Sequence, residues 1–206
     1  MTEKINRVMV YVDGFNLYFG MVDADLPHCK WLDINKLIAD SITSNQQVVS
    51  IKYFTSRVSN NPPKQKRQTI YLEALETTGI KIIYGLYKAK EIECNNCGHA
   101  WQISNEKMTD VNIATHMLAD AFTDTYDTAI LISGDSDLVP PIKAVHQYFP
   151  DKAVSVFFPP ERHNNTVALA AKGSMILGRK KLSSNQFSDE VEKPGGYKLK
   201  KPSEWI

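Results

Sequence analysis

Three scarcities bound this 206-residue sequence before any motif is read. It has only three cysteines, which argues against a disulfide framework and for a reducing compartment. No apolar run approaches the ~18 residues that a membrane span needs, and the opening Met-Thr-Glu-Lys has no apolar signal core. The expectation is a cytoplasmic protein with no membrane partner. An excess of one charge is missing too. The formal net charge is +1, so any affinity for nucleic acid has to come from a local patch. No internal repeat or low-complexity linker is visible, which at this length supports one domain around one sizeable core.

What is present is a pair of apolar runs that end in carboxylates. Ile130-Leu-Ile132 shows no alternation and is expected to be a strand buried on both faces. Ser133-Gly134 breaks it, and Asp135 and Asp137 follow at once, ahead of a helix over Leu138–Tyr148 that tolerates Pro140-Pro141 near its start. Arg7–Val12 repeats the pattern and ends in Asp13, with Gly14 as the break and Asn16 placed to cap a short helix over Leu17–Met21. Turn and cap roles are the plain alternative for Asp13, Asn16 and Asp137. The repetition favours a shared task.

Further elements follow in order. Asp33 caps a helix reaching Ile42, Val48–Arg57 is a strand, and Lys64–Thr78 is a helix closed by Gly79. Arg57, Lys64 and Arg67 form a basic group that is either a solvated face or a set of phosphate contacts. Lys81–Tyr87 is another strand. A helix from Glu106 to Phe122 carries Asp110 near its inward face, while His116 points away and is expected to be exposed. Ala153–Phe158 is a further strand, followed by a polar loop in which Arg162 is a candidate substrate contact, and Thr166 caps a helix over Val167–Ala171. Residues 183–206 are expected to be an irregular tail pinned by Trp205-Ile206, leaving 1–182 as the domain.

A Cys-x₂-Cys pair, Cys94 and Cys97, sits in an insertion at about 88–104. A closed zinc site needs four ligands, and Cys29, His28 and His99 are the nearby-type candidates. A structural Zn²⁺ and a plain hairpin with two free thiols are both open. A redox pair fits less well, because the motif does not open a helix after a strand.

Strands alternating with helices imply a mainly parallel sheet covered on both faces. In such a sheet the carboxyl ends of the strands share a rim, and ligands bind there. Asp13, Asp110, Asp135 and Asp137 are hard oxygen ligands, better suited to Mg²⁺ or Mn²⁺ than to zinc. Unneutralised, they would raise one another's pKa.

Val12-Asp-Gly-Phe-Asn-Leu-Tyr18, the run from Glu106 to Ile113, and Ser133-Gly-Asp-Ser-Asp137 together resemble the NYN domain of the LabA-like group, a branch of PIN-like nucleases. The similarity runs from about Arg7 to Leu177. It implies a PIN-like three-layer α/β/α sandwich and metal-dependent cleavage of RNA. It further implies that Asp13, Asp110, Asp135 and Asp137 hold the metal, with Asn16 orienting one of them or a water. The sequence departs from the pattern at His116, where relatives often carry an acid, and at Ser174, where they often carry aspartate. Both departures bring the number of acids near the minimum.

The expected function is thus hydrolysis of phosphodiesters in single-stranded RNA through an acidic Mg²⁺ or Mn²⁺ site, with Arg57, Lys64, Arg67 and Arg162 holding the strand. Two alternatives stay open. One is an inactive relative that binds RNA or a regulatory protein partner, or that self-associates as a homo-oligomer. The other is a small-molecule phosphohydrolase, although Asp13-Gly14-Phe15 lacks the Asp-x-Asp nucleophile of aspartyl-phosphate enzymes.

Overall fold

The computed structural model describes residues 5–58, 61–93 and 96–205, without the side chains of 86–93 and 101–107. Strand β1 (Asn6–Asp13) opens the chain and is followed by α1 (Gly14–Asp23), α2 (Ile34–Ala39), β2 (Gln46–Thr55), α3 (Pro62–Thr77) and β3 (Lys81–Tyr84). Next come an antiparallel hairpin of β4 (Leu86–Glu93) and β5 (Ala100–Lys107), then α4 (Thr109–Phe122) and β6 (Thr128–Ile132). The chain continues with α5 (Val139–Tyr148), β7 (Ala153–Phe158), α6 (Asn165–Ala170), β8 (Gly173–Ile176) and α7 (Arg179–Ser184). It ends in a small hairpin of β9 (Glu190–Glu192) and β10 (Lys198–Lys200).

Six parallel strands form the central sheet in the order β3-β2-β1-β6-β7-β8. Two apolar layers cover it. Val8, Val10, Val12, Ile130 and Ile132 face one, beside Leu17, Leu37 and Leu72. Met9, Tyr11, Ala129 and Leu131 face the other, beside Ile113, Met117 and Ile142. That division is why β1 and β6 lack alternation in sequence: both faces of each strand are core. The result is the expected three-layer α/β/α sandwich.

Strand order reverses at β1. The chain winds from β1 outward to β2 and β3, then returns to place β6 on the other side of β1 and winds outward again to β7 and β8. The crevice beyond the carboxyl ends of β1 and β6 is therefore the switch point where open α/β sheets bind ligands. Asp13 ends β1, and Asp135 lies three residues past the end of β6.

Several boundaries differ from those expected, each for a local reason. The cap of α1 is Asp13, whose carboxylate accepts from the Asn16 backbone, so Asn16 is inside the helix and not its cap. In α3 the cap is Asn61, and Pro62-Pro63 occupy the positions where proline costs no hydrogen bond. The start of α4 is delayed to Thr109, because β5 holds the chain extended through Lys107 and Met108 turns it with a positive φ of 80°. In α6 Asn164 caps in place of Thr166. The segment expected to be an irregular tail holds the end of α7 and the β9–β10 hairpin. Its Trp205 packs on Trp31 and Tyr71, at centroid distances of 6.3 and 5.9 Å, as the pinning of the chain end requires. Among the described residues, no helix is long and apolar enough to cross a membrane.

Candidate acidic site at the sheet switch point

The site is assembled by a relay of hydrogen bonds between the loops after β1 and β6. Asp13 is buried. One of its oxygens accepts from the Asn16 N–H (3.0 Å), and the other accepts from the Ser133 hydroxyl (2.9 Å). The Ser133 hydroxyl in turn accepts from the Asp135 N–H (3.1 Å), and Asn16 Oδ1 accepts from the Gly134 N–H (3.0 Å). Asp135 caps the next turn, accepting from the Asp137 N–H at 2.9 Å. The two strand ends are thus tied to each other through the side chains of Asp13, Asn16 and Ser133, and Asp135 has little freedom of direction.

Gly134 matters for a separate reason. A Cβ there would stand 1.8 Å from the Arg162 carbonyl oxygen, so only glycine lets the 159–163 loop close over the acids. That closure sets Arg162 in the wall of the pocket, while its guanidinium pairs with Asp23 at the end of α1.

An open pocket of about 380 Å³ results, lined by Asp13, Asn16, Asp110, Asp135 and Arg162 together with Phe15, Phe19, Met108 and Thr109. Three carboxylates from three separate segments therefore reach one cavity. Burial, followed by the charges of Asp135 and Asp137, pushes the Asp110 carboxyl above its ordinary value. A helix start favours a carboxylate by only about 0.3–1 kcal/mol, and here the opposing effects prevail. Asp137 is exposed and contributes charge without lining the pocket. The donor set consists of hard oxygens, which suits Mg²⁺ or Mn²⁺. Among the described residues, no three His, Cys, Asp or Glu side chains are gathered at coordinating distance.

A second cavity of about 270 Å³ adjoins the first, and Phe15 and Phe19 line both. Lys64 and Arg67, expected to contact substrate, line this second cavity with Lys30 and Tyr18. Arg57 lines neither. Its guanidinium lies 4.8 Å from the centroid of the Tyr84 ring and donates to Thr69. The aromatic members and Lys30 were missed from sequence. The available signal was the spacing of Phe15, Tyr18 and Phe19, three and four residues apart on one helix face.

His116 also differs from expectation. It is half-buried, stacks edge-on against Phe54 at 5.5 Å, and lies 3.3 Å from Lys52 Nζ. Burial and Lys52 push its pKa down. The question of zinc rests on Cys94, which lies outside the described residues. Cys97 is exposed, and Cys29 is sequestered in the core beside Trp31 and Leu32, with its thiol pushed up by burial.

Comparison with known proteins bears on the family and the fold. A family model described as the NYN domain matches residues 7–176. The chain is 27% identical over 197 residues to 6-hydroxy-3-succinoylpyridine 3-monooxygenase of Pseudomonas putida, a match covering 78% of this chain and 62% of that relative's length. The crystal structure of a protein of unknown function from Vibrio parahaemolyticus superposes with a TM-score of 0.59 at 21% identity, covering 87% of this chain and 97% of the other. That likeness is one of fold.

Proposed function

The chain belongs to the NYN domain family, whose fold is nuclease-like, and from that premise we propose that it is a metal-dependent ribonuclease acting on single-stranded RNA. The observation that carries the proposal is the convergence of Asp13, Asp110 and Asp135 on one pocket, with the Asp110 carboxyl raised by burial and then by the charges of Asp135 and Asp137. Like charges held together in a half-buried crevice are costly without a cation.

In this reading Asp13, Asp110 and Asp135 hold Mg²⁺ or Mn²⁺, and the exposed Asp137 adds charge beside them. The bound ion would polarise a phosphoryl oxygen and make a water acidic enough to attack at neutral pH. The chain's own residues do the rest. Ser133 and Asn16 fix the directions of Asp13 and of the loop bearing Asp135. Arg162 faces the pocket and can bond a phosphate oxygen, while Lys64 and Arg67 hold the backbone beyond it. The name of the Pseudomonas relative describes oxygenation of a pyridine. Nothing in the acidic pocket favours that chemistry for this chain.

The test is cleavage of a labelled single-stranded RNA with Mn²⁺ by the wild type, Asp110→Asn and Asp135→Asn. The expected loss is on the order of 10²–10³-fold for each substitution. Equal rates in all three would remove the nuclease assignment. One observation favours a second reading, an RNA-binding regulator on a nuclease fold: the acids share a pocket without standing at coordinating distance. That reading predicts RNA binding that survives EDTA and both substitutions, with no turnover.

A further inference from the structure

The cavity next to the acidic pocket has a composition the hydrolytic step does not call for. Three cations, Lys30, Lys64 and Arg67, line it, and among the described residues no carboxylate does. The wall it shares with the acidic pocket is aromatic. Phe15 and Phe19 lie nearly parallel, 19° apart with centroids at 6.1 Å, and Tyr18 meets Phe19 edge-on at 5.3 Å. Phe19 is 47% exposed, a high value for a phenylalanine in a helix that packs on the core. Lys30 lies 5.1 Å from the centroid of the Tyr18 ring, and burial and Arg67 push its pKa down.

Aromatic faces beside a row of cations suit a ligand that alternates flat rings with anions, which describes a single strand of nucleic acid. Continuity decides which part of the strand is meant. Since Phe15 and Phe19 border both cavities, a strand whose phosphate sits among the acids can lay a neighbouring nucleotide over these rings.

We propose that this aromatic, cation-rimmed cavity is a subsite for the base of the nucleotide adjacent to the phosphodiester presented to the acids, with Lys64 and Arg67 on its backbone phosphate. The assignment rests on single-stranded RNA being the substrate. Arg67 already pairs with Glu204 at 2.6 Å, so Lys64 is the freer phosphate contact and Arg67 exchanges one anion for another.

The test is binding of labelled tetraribonucleotides in EDTA, read by fluorescence anisotropy, with Mn²⁺-dependent cleavage followed in parallel. One set carries all bases, and the others have a single abasic sugar at successive positions. In the wild type, one abasic position weakens binding about 10-fold, the scale of one base stacked on an aromatic ring. Phe19→Ala, with its fold checked by circular dichroism and its Tm, causes a similar loss with the intact oligonucleotide and less than about 2-fold further loss with that abasic one. Lys64→Ala weakens all of them alike and lowers the salt slope by about 1. Uniform tolerance of abasic sugars, or losses from Phe19→Ala and the abasic sugar that simply multiply, would overturn the subsite. So would saturation of the cavity by benzoate at concentrations where RNA fails to bind. Cleavage without base dependence defeats the subsite alone. Base-dependent binding without cleavage defeats the nuclease reading alone.

Discussion

Two aspartates at opposite ends of α4 have opposite surroundings. Asp120 accepts from Lys52 Nζ at 2.5 Å and from the Tyr11 hydroxyl at 2.7 Å, and Lys52 also lies 5.8 Å from the centroid of the Tyr11 ring. The amino rim of the sheet is treated alike. There Arg7 bonds both Asp127 and Asp124, and Lys152 bonds Asp124. Asp110, at the other end of the helix, faces Asp135 and Asp137, and among the described residues no lysine or arginine is bonded to it. Where an acid serves the fold, the chain supplies its cation. At the switch point it supplies more acids, which is the electrostatic mark of a site whose counter-charge arrives from solution.

The largest effect that could break this contrast is on turnover. Asp110→Asn should lower Mn²⁺-dependent RNA cleavage on the order of 10²–10³-fold. Retained cleavage would make Asp110 as structural as Asp120. Next in size is the reverse experiment. Lys52→Met leaves Asp120 semi-buried with only the Tyr11 hydroxyl and should cost about 3 kcal/mol, or about 6–12 °C in Tm, with cleavage per folded molecule unchanged. A Tm within a degree of wild type in a thermal melt would show that the buried pair is not holding α4 to β2.

A smaller effect sharpens the comparison through pH. The Asp110 carboxyl is raised on folding, so the folded chain binds its proton more tightly than the unfolded chain does. Its contribution therefore favours the fold at low pH and turns against it as pH rises through the carboxylate range. Asp110→Asn removes that penalty. Its Tm should equal or exceed that of wild type at pH 7, and the difference should vanish below about pH 3, under the ordinary carboxyl value of about 3.9, where the acid is protonated in both states. A Tm clearly below wild type at pH 7 would mean that the carboxylate stabilises the helix start instead. Smallest of all is the turn at Met108. Met108→Gly relieves a left-handed residue worth about 1 kcal/mol and should raise Tm by about 2–4 °C in the absence of metal.

The sheet was legible in the sequence because β1 and β6 are buried on both faces and so appear as unbroken apolar runs. The acids were legible because each follows such a run or opens a helix. Caps were less so: Asp13 and Asn164 each displace a neighbour of similar chemistry, Asn16 and Thr166, and only the backbone path decides between them. The Lys52–Asp120–Tyr11 network was invisible, since its members come from β2, α4 and β1 and meet only once the sheet has formed. His116 was misjudged for the same reason. Helical periodicity places it away from the Asp110 face, but β2 supplies Phe54 and Lys52 to cover it. The C-terminal segment, rich in lysine and glycine, gave no periodic signal, and its order comes from Trp205 reaching the Trp31 cluster.

The central claim is that Asp13, Asp110 and Asp135 share one divalent cation, and it is tested most directly by Mn²⁺ titration followed by electron paramagnetic resonance of the free ion. The account predicts one bound Mn²⁺ per wild-type chain, with affinity weakened at least about tenfold by Asp110→Asn. Equal binding by the two proteins, or none by either, would contradict it.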